Sequence, residues 1–148
     1  MNMLVADVLR SKGNKVEIIA PGATILEAVK RMTAIHIGCL VVVSKTGLLA
    51  GILSERDCMW KIVAEQTSLR KTLVKDTMTP ARKMTTVTLS HTVDDCMNLM
   101  TSGHYRHLPV VDGSKLVGIV SIGDAVKSQL DDQRATIKSL EKYIEGSL

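Results

Sequence analysis

The chain repeats itself, and that constrains its fold more than any other feature. Leu4-Val-Ala-Asp7 returns as Leu73-Val-Lys-Asp76, 69 residues later. Thr24–Val43 returns as Thr92–Val111 at a separation of 68, with seven identities in twenty positions. Unrelated sequence of ordinary composition would give about one or two. Gly51-Ile-Leu-Ser-Glu-Arg-Asp57 returns as Gly118-Ile-Val-Ser-Ile-Gly-Asp124 at 67, with four of seven positions identical. Each step shortens the second copy by one residue where a loop is expected. Any fold for this chain must therefore be built twice, with equivalent residues in equivalent places.

Each copy has the same order of elements. Ile25, Ala28, Val29 and Met32 fall at helical spacing, as do Val93, Cys96, Met97 and Met100, which gives each helix one apolar face. Thr24 and Thr92 stand as N-caps, with Glu27 and Asp95 three residues on. Two short apolar runs follow each helix, Cys39–Val43 with 48–53 and 108–111 with 116–120. The turns between them, 44–47 and 112–114, contain glycine and suit hairpins. A second helix is expected over about 55–65 and 122–130, and a leading strand over 15–19 and 85–89. Each copy thus reads strand–helix–strand–strand–helix. The divisions are 1–69 and 70–130, with a further helix over 131–148 carrying Ile137, Leu140 and Ile144 on one side. That helix packs on its own domain, pairs with a second copy or docks another protein.

Composition narrows the class of protein. Of 148 residues, 45% are hydrophobic and none is Phe, while eight are Met, so the core is aliphatic and needs neither metal nor disulfide. The longest apolar run, 35–43, is nine residues and contains His36. A membrane helix needs about twenty. The amino terminus has no charged region followed by a long apolar one, so no secretory signal is read there. Three cysteines in apolar surroundings, Cys39, Cys58 and Cys96, suit a reducing compartment, and the cytoplasm is the expected location. A net charge of +4 could attract nucleic acid or a small phosphorylated ligand. One Trp and two Tyr are too few for a base-stacking platform. His104 and His107 lie close in sequence, but no cysteine or carboxylate completes a metal set. Neither a nucleophile motif nor an acid–base pair stands out, so no enzyme activity is expected.

The duplicated polar pair is the remaining clue. A serine followed three residues later by an acid can simply cap a helix and face its dipole. Yet Ser54 and Ser121 each follow an apolar strand directly, and strand ends are where such sheets bind ligands. The residues between differ, Glu55-Arg56 against Ile122-Gly123, while the pair stays fixed. A carboxylate can accept two hydrogen bonds from vicinal hydroxyls such as those of ribose, and a helix N-terminus with serine suits phosphate.

The pattern G-h-x-[S/T]-x-x-D, with h apolar, at the end of a strand–helix–strand–strand–helix unit of about 60 residues in tandem, resembles the CBS (cystathionine-β-synthase) domain pair, or Bateman module. The resemblance covers about residues 1–130, and Arg106-His-Leu-Pro-Val-Val111 is similar to the family's middle strand. It implies an α/β (α+β) fold of two pseudo-symmetric repeats packed through their sheets, to which the C-terminal helix read over 131–148 is added. It also implies two clefts for adenosine-containing ligands, with AMP first and ATP, NAD(H) or S-adenosylmethionine as others. One cleft would join Ile119, Ser121 and Asp124 to Ala23, Ala28 and Ile37. The other would join Ile52, Ser54, Arg56 and Asp57 to His91, Cys96 and Tyr105. Arg106 and His107 stand where nucleotide-binding members carry basic residues, whereas the first copy has Gly38 and Cys39, leaving Arg56 as its substitute cation. Arg56 can also be read as a solvated helix residue, and His107 as a half-buried imidazole.

The expected protein is a stand-alone regulatory sensor of adenine nucleotides, a homodimer through its second-helix faces, acting on an unidentified protein. The rival readings are a ligand-free dimerisation module and a nucleic-acid binder.

Overall fold

The computed structural model describes residues 3–146. Two compact units emerge, and neither is one uninterrupted stretch of chain. One comprises Lys15–Thr85 with the hairpin tip Asp112–Leu116. The other comprises residues 3–14, 86–111 and 117–146. Each has its own core, and the two are the first-repeat and second-repeat units.

The first-repeat unit holds a four-stranded sheet in the order β1 (Ile18–Ile19), β2 (Cys39–Val43), β3 (Leu49–Ser54), β4 (Thr79–Pro80). β1 runs parallel to β2, and the remaining pairings are antiparallel. Helix α2 (Ile25–Ile35) precedes β2 and α3 (Glu55–Met59) follows β3. Ile25, Ala28 and Met32 of α2 meet Leu40 and Val42 of β2, Leu53 of β3, Cys58 and Val74 in one cluster. The helical period of the first set and the alternation of the second put every one of these side chains inside. The expected second helix continues past Met59 as a wider π-turn over Trp60–Ala64, closed by Glu65 N–H donating to the Trp60 carbonyl at 3.2 Å. Trp60 lies 64% exposed, so it is no core residue.

In the second-repeat unit, α4 (Val93–Gly103) lies against the hairpin β5 (His107–Asp112) and β6 (Lys115–Ser121), and α5 (Ile122–Glu145) leaves β6 directly. α5 runs 24 residues without a break, absorbing both the second helix and the predicted C-terminal one. Residues 147 and 148 of that predicted helix lie outside the described residues. No Gly or Pro interrupts 124–145, so nothing stops the helix there. Its buried residues are Ala125 and Ser128 alone, and Ile137, Leu140 and Ile144 are exposed.

The leader segments are exchanged. Helix α1 (Val5–Lys12) begins the chain but belongs to the second-repeat unit, where Val5, Val8 and Leu9 join Val93, Cys96 and Leu108 in the core. Val5 N–H donates to His91 O at 2.8 Å and Val93 N–H to Met3 O at 2.8 Å. The equivalent segment serves the first-repeat unit: Val74 N–H donates to Ala23 O at 2.8 Å and Ile25 N–H to Thr72 O at 3.0 Å. Leu4 bridges Thr92 just as Leu73 bridges Thr24. Each leader thus satisfies amides at the N-terminus of a first helix, which its own turns leave open.

The leading strands are shorter than their sequences predict. In the first copy only Ile18–Ile19 is strand, with Val41 N–H donating to Glu17 O at 3.1 Å. In the second copy the strand shrinks to a bridge between Val87 and Val110. The position equivalent to Val41 is Pro109, which has no N–H to donate, so the ladder cannot extend.

The two motif glycines are needed by these same leaders. A Cβ at Gly51 would overlap the Thr79 carbonyl and sit 2.7 Å from Met78 Sδ. A Cβ at Gly118 would sit 2.6 Å from a Leu9 methyl, and Leu9 is the repeat equivalent of Met78. The space that these glycines leave is thus filled by the chain's own leaders. We predict that Gly51→Ala lowers stability by about 1–3 kcal/mol through overpacking against backbone. Gly118→Ala should cost less, because a leucine side chain can turn aside. Urea denaturation of both variants checks the order, and equal losses would refute it.

Candidate functional site

The duplicated serine and aspartate build the same local structure twice. Ser54 sits at the end of β3 and caps α3, its hydroxyl accepting from Asp57 N–H at 3.1 Å. Asp57 Oδ2 accepts in return from Ser54 N–H at 2.9 Å. Ser121 and Asp124 repeat this at the start of α5, with distances of 3.1 and 2.8 Å. The capping reading of S-x-x-D is therefore correct for both. Capping engages only one oxygen of each carboxylate, however. Among the described residues, Oδ1 of Asp57 and of Asp124 accepts no hydrogen bond. The caps fix the carboxylates rigidly and leave an acceptor over.

The surroundings of the two motifs differ. Glu55 N–H donates to Gly38 O at 2.9 Å, and the equivalent bond runs from Ile122 N–H to Arg106 O at 2.9 Å. Arg106 is thus tied by its backbone to the entrance of the second motif, where the first motif has a glycine. The Arg106 and Arg56 side chains are exposed and make no ion pair among the described residues. Tyr105, also exposed, is so close to Gly103 that a Cβ there would overlap its ring.

Lys12 was not foreseen. From the last turn of α1 its ammonium donates to Asp124 Oδ2 at 2.6 Å and to Ile119 O at 2.9 Å. Burial works to raise the Asp124 carboxyl, but the bonds from Lys12 and Ser121 prevail and hold it below the usual carboxylate range. The first motif has no such lysine, because the leader that serves it carries Ala81 at the position equivalent to Lys12. Among the described residues Asp57 makes no ion pair. No local spacing could have revealed Lys12, since its partner is 112 residues away.

The other residues picked from the sequence fall into place within their own units. In the first-repeat unit, Ile52 and Ile37 are partly exposed and Ala23 packs at the core margin. Ala28 is wholly enclosed and offers no surface. In the second-repeat unit, Cys96 is equally enclosed and Ile119 is partly exposed beside Lys12. His91 is engaged locally, its Nδ1 accepting from Thr88 N–H at 2.9 Å. Burial pushes the thiols of Cys39, Cys58 and Cys96 up to about 11, so all three stay protonated and unreactive at neutral pH. Among the described residues no helix is long and apolar enough to cross a membrane, and no group of three metal-ligating side chains occurs.

The sequence pattern of the CBS domain matches residues 5–64 and again 74–131. The chain belongs to the CBS domain family. It is 38% identical over 148 residues to the CBS domain-containing protein CBSX3, mitochondrial, of Arabidopsis thaliana, covering 96% of this chain and 72% of that one. It spans about a quarter of some longer Arabidopsis relatives, 24% of their length. The CBS-domain containing protein ATU1752 of Agrobacterium tumefaciens superposes with a TM-score of 0.76 at 35% identity, over 85% of this chain and 98% of that one. CBSX2 of Arabidopsis, solved in complex with AMP, superposes with a TM-score of 0.73 at 25% identity, over 87% and 97%. The paired-repeat α/β fold expected from the sequence is the fold of these proteins.

His107, next to Arg106 on β5, has its imidazole pKa lowered by burial, against the pull of Asp124 and with the push of Lys12 and Arg106. Its folded pKa thus lies below its unfolded value of 6.5, so the unfolded chain binds this proton more readily. Stability from His107 is present above pH 6.5 and is lost as pH falls below it; the Asp124 contribution follows the same sign, starting only below 3.8. We expect urea midpoints to fall from pH 7 to pH 5, and His107→Gln to flatten that slope. An unchanged slope in the variant would remove His107 as the cause.

Proposed function

We propose that this protein is a regulatory sensor that binds adenine nucleotides, AMP foremost, at its two serine–aspartate motifs. The observation that carries this reading is the spare carboxylate oxygen of Asp57 and Asp124, each rigidly held at a strand end. A preorganised acceptor beside exposed arginine is what a ribose phosphate requires: the diol bonds the carboxylate and guanidinium pairs the phosphate. The AMP bound to CBSX2, a relative of the same fold, supports the choice of ligand. The protein works without chemistry of its own. Binding changes a partner protein by favouring one arrangement of the chain, by as much as its affinity differs between arrangements. ATP, NAD(H) and S-adenosylmethionine are the competitors to test, and the protonated thiols suit a reducing interior such as the cytoplasm.

Removing either aspartate deletes charge-assisted bonds worth about 1.5–3 kcal/mol each. Calorimetric titration with AMP should show the affinity of that motif falling at least tenfold in Asp57→Ala or Asp124→Ala, with the fold intact by circular dichroism. A double variant that binds AMP as well as wild type would end the ribose assignment.

We further propose a homodimer through the second-helix faces. Met59, Trp60 and Val63 stand exposed, and Met59 borders a groove of about 540 Å³ lined by Met32, Ile37 and Ile62 together with Thr33, His36 and Glu55. Val126 and Leu130 on α5, the repeat equivalents of Met59 and Val63, are exposed too, with Ile122 one turn before them. Large aromatic and aliphatic side chains left in water at matching places suit a self-complementary interface. Light scattering should give twice the chain mass for wild type and one chain mass for Trp60→Glu/Val63→Glu. A monomeric wild type would refute the dimer.

A further inference from the structure

The ion pair between Lys12 and Asp124 bears on which ligands the second motif accepts. Asp124 Oδ2 already takes 2.6 and 2.8 Å hydrogen bonds from Lys12 Nζ and Ser121 N–H, and its Oδ1 takes none. A vicinal diol spans a carboxylate by placing one hydroxyl on each oxygen, so full engagement of a ribose competes with Lys12 for Oδ2. The displaced ammonium would keep one acceptor, the Ile119 carbonyl at 2.9 Å. It is not in open water either: the Lys12 and Asp124 side chains are 30% and 22% exposed. Breaking such a pair without a replacement anion is costly. A ligand that carries its own anion near the diol supplies the replacement. Lysine suits the exchange, because it is a point charge on a flexible stem and can follow a phosphate where a rigid fork could not.

We propose that Lys12 is the specificity-determining residue of the Asp124 motif, restricting it to ligands that combine a ribose diol with a phosphate. Nucleosides, which offer the diol alone, are held off by the ion pair. Ribonucleoside phosphates exchange one anion for another and are admitted. The first motif has alanine at position 81 in place of this lysine and applies no such filter, so the two motifs differ in ligand class. The inference rests on the nucleotide-sensor reading above and goes further by giving the discrimination a residue and a sign.

The sign makes it testable. Titrations with AMP and with adenosine are done in an Asp57→Ala background, so that only the second motif responds. With Lys12 present, AMP should bind at least tenfold more tightly than adenosine. Lys12→Met should weaken AMP about tenfold while strengthening adenosine threefold or more, so that the preference collapses. Lys12→Arg, which retains a cation, should preserve most of the preference. A merely structural lysine would lower both affinities together in Lys12→Met, or leave both unchanged. Either of those results overturns the inference while the sensor reading stands. Failure of AMP to bind the wild-type chain at all overturns both.

Discussion

The exchanged leaders are the contact on which the rest depends. Val5 and Val74, repeat equivalents, are both fully buried, and each sits in a unit otherwise built from the other copy. Burying one such side chain contributes about 1.5–3 kcal/mol. The leaders also satisfy the amides of Val93 and Ile25 and press against Gly118 and Gly51. Those glycines open the strands β6 and β3 onto the serine–aspartate motifs. The contact that completes each core therefore also sets where the motif strand runs, which ties the geometry of the site to the packing of the leader.

Much of this was legible because the sequence is duplicated. A pattern seen twice separates chance from design: α2 and α4 begin at the predicted threonines, and both hairpins form where glycine was expected. The leading strands were overextended, because alternation in Thr85–Leu89 cannot reveal that its partner strand carries Pro109 without an N–H. The exchange of leaders was invisible too, since Leu4-Val-Ala-Asp7 reads identically whether it packs on its own copy or on the next. Local pattern reports local structure, while the choice of partner belongs to the tertiary fold.

The candidate site shows the same boundary. Ser54, Asp57, Ser121 and Asp124 could be picked out because their spacing has a local meaning, and the structure shows that meaning to be capping. Burial separates Ala28 and Cys96, which the family resemblance placed at the clefts, from residues with surface to offer. Lys12 escaped because its importance comes from a carboxylate far along the chain. Its absence beside the first motif, whose leader carries alanine at position 81, explains how two nearly identical motifs acquire different electrostatics.

Helix α5 starts at Ser121 and runs unbroken for 24 residues, leaving its last dozen or so in water. At 1.5 Å per residue it is about 36 Å long. Such a rod is a lever whose short arm ends at the Asp124 carboxylate. Swinging its axis by about 5° would carry the far tip roughly 3 Å, by the same length. An adjustment too small to disturb the core thereby becomes, at Ile144, a displacement comparable to the spacing of neighbouring atoms across a protein surface.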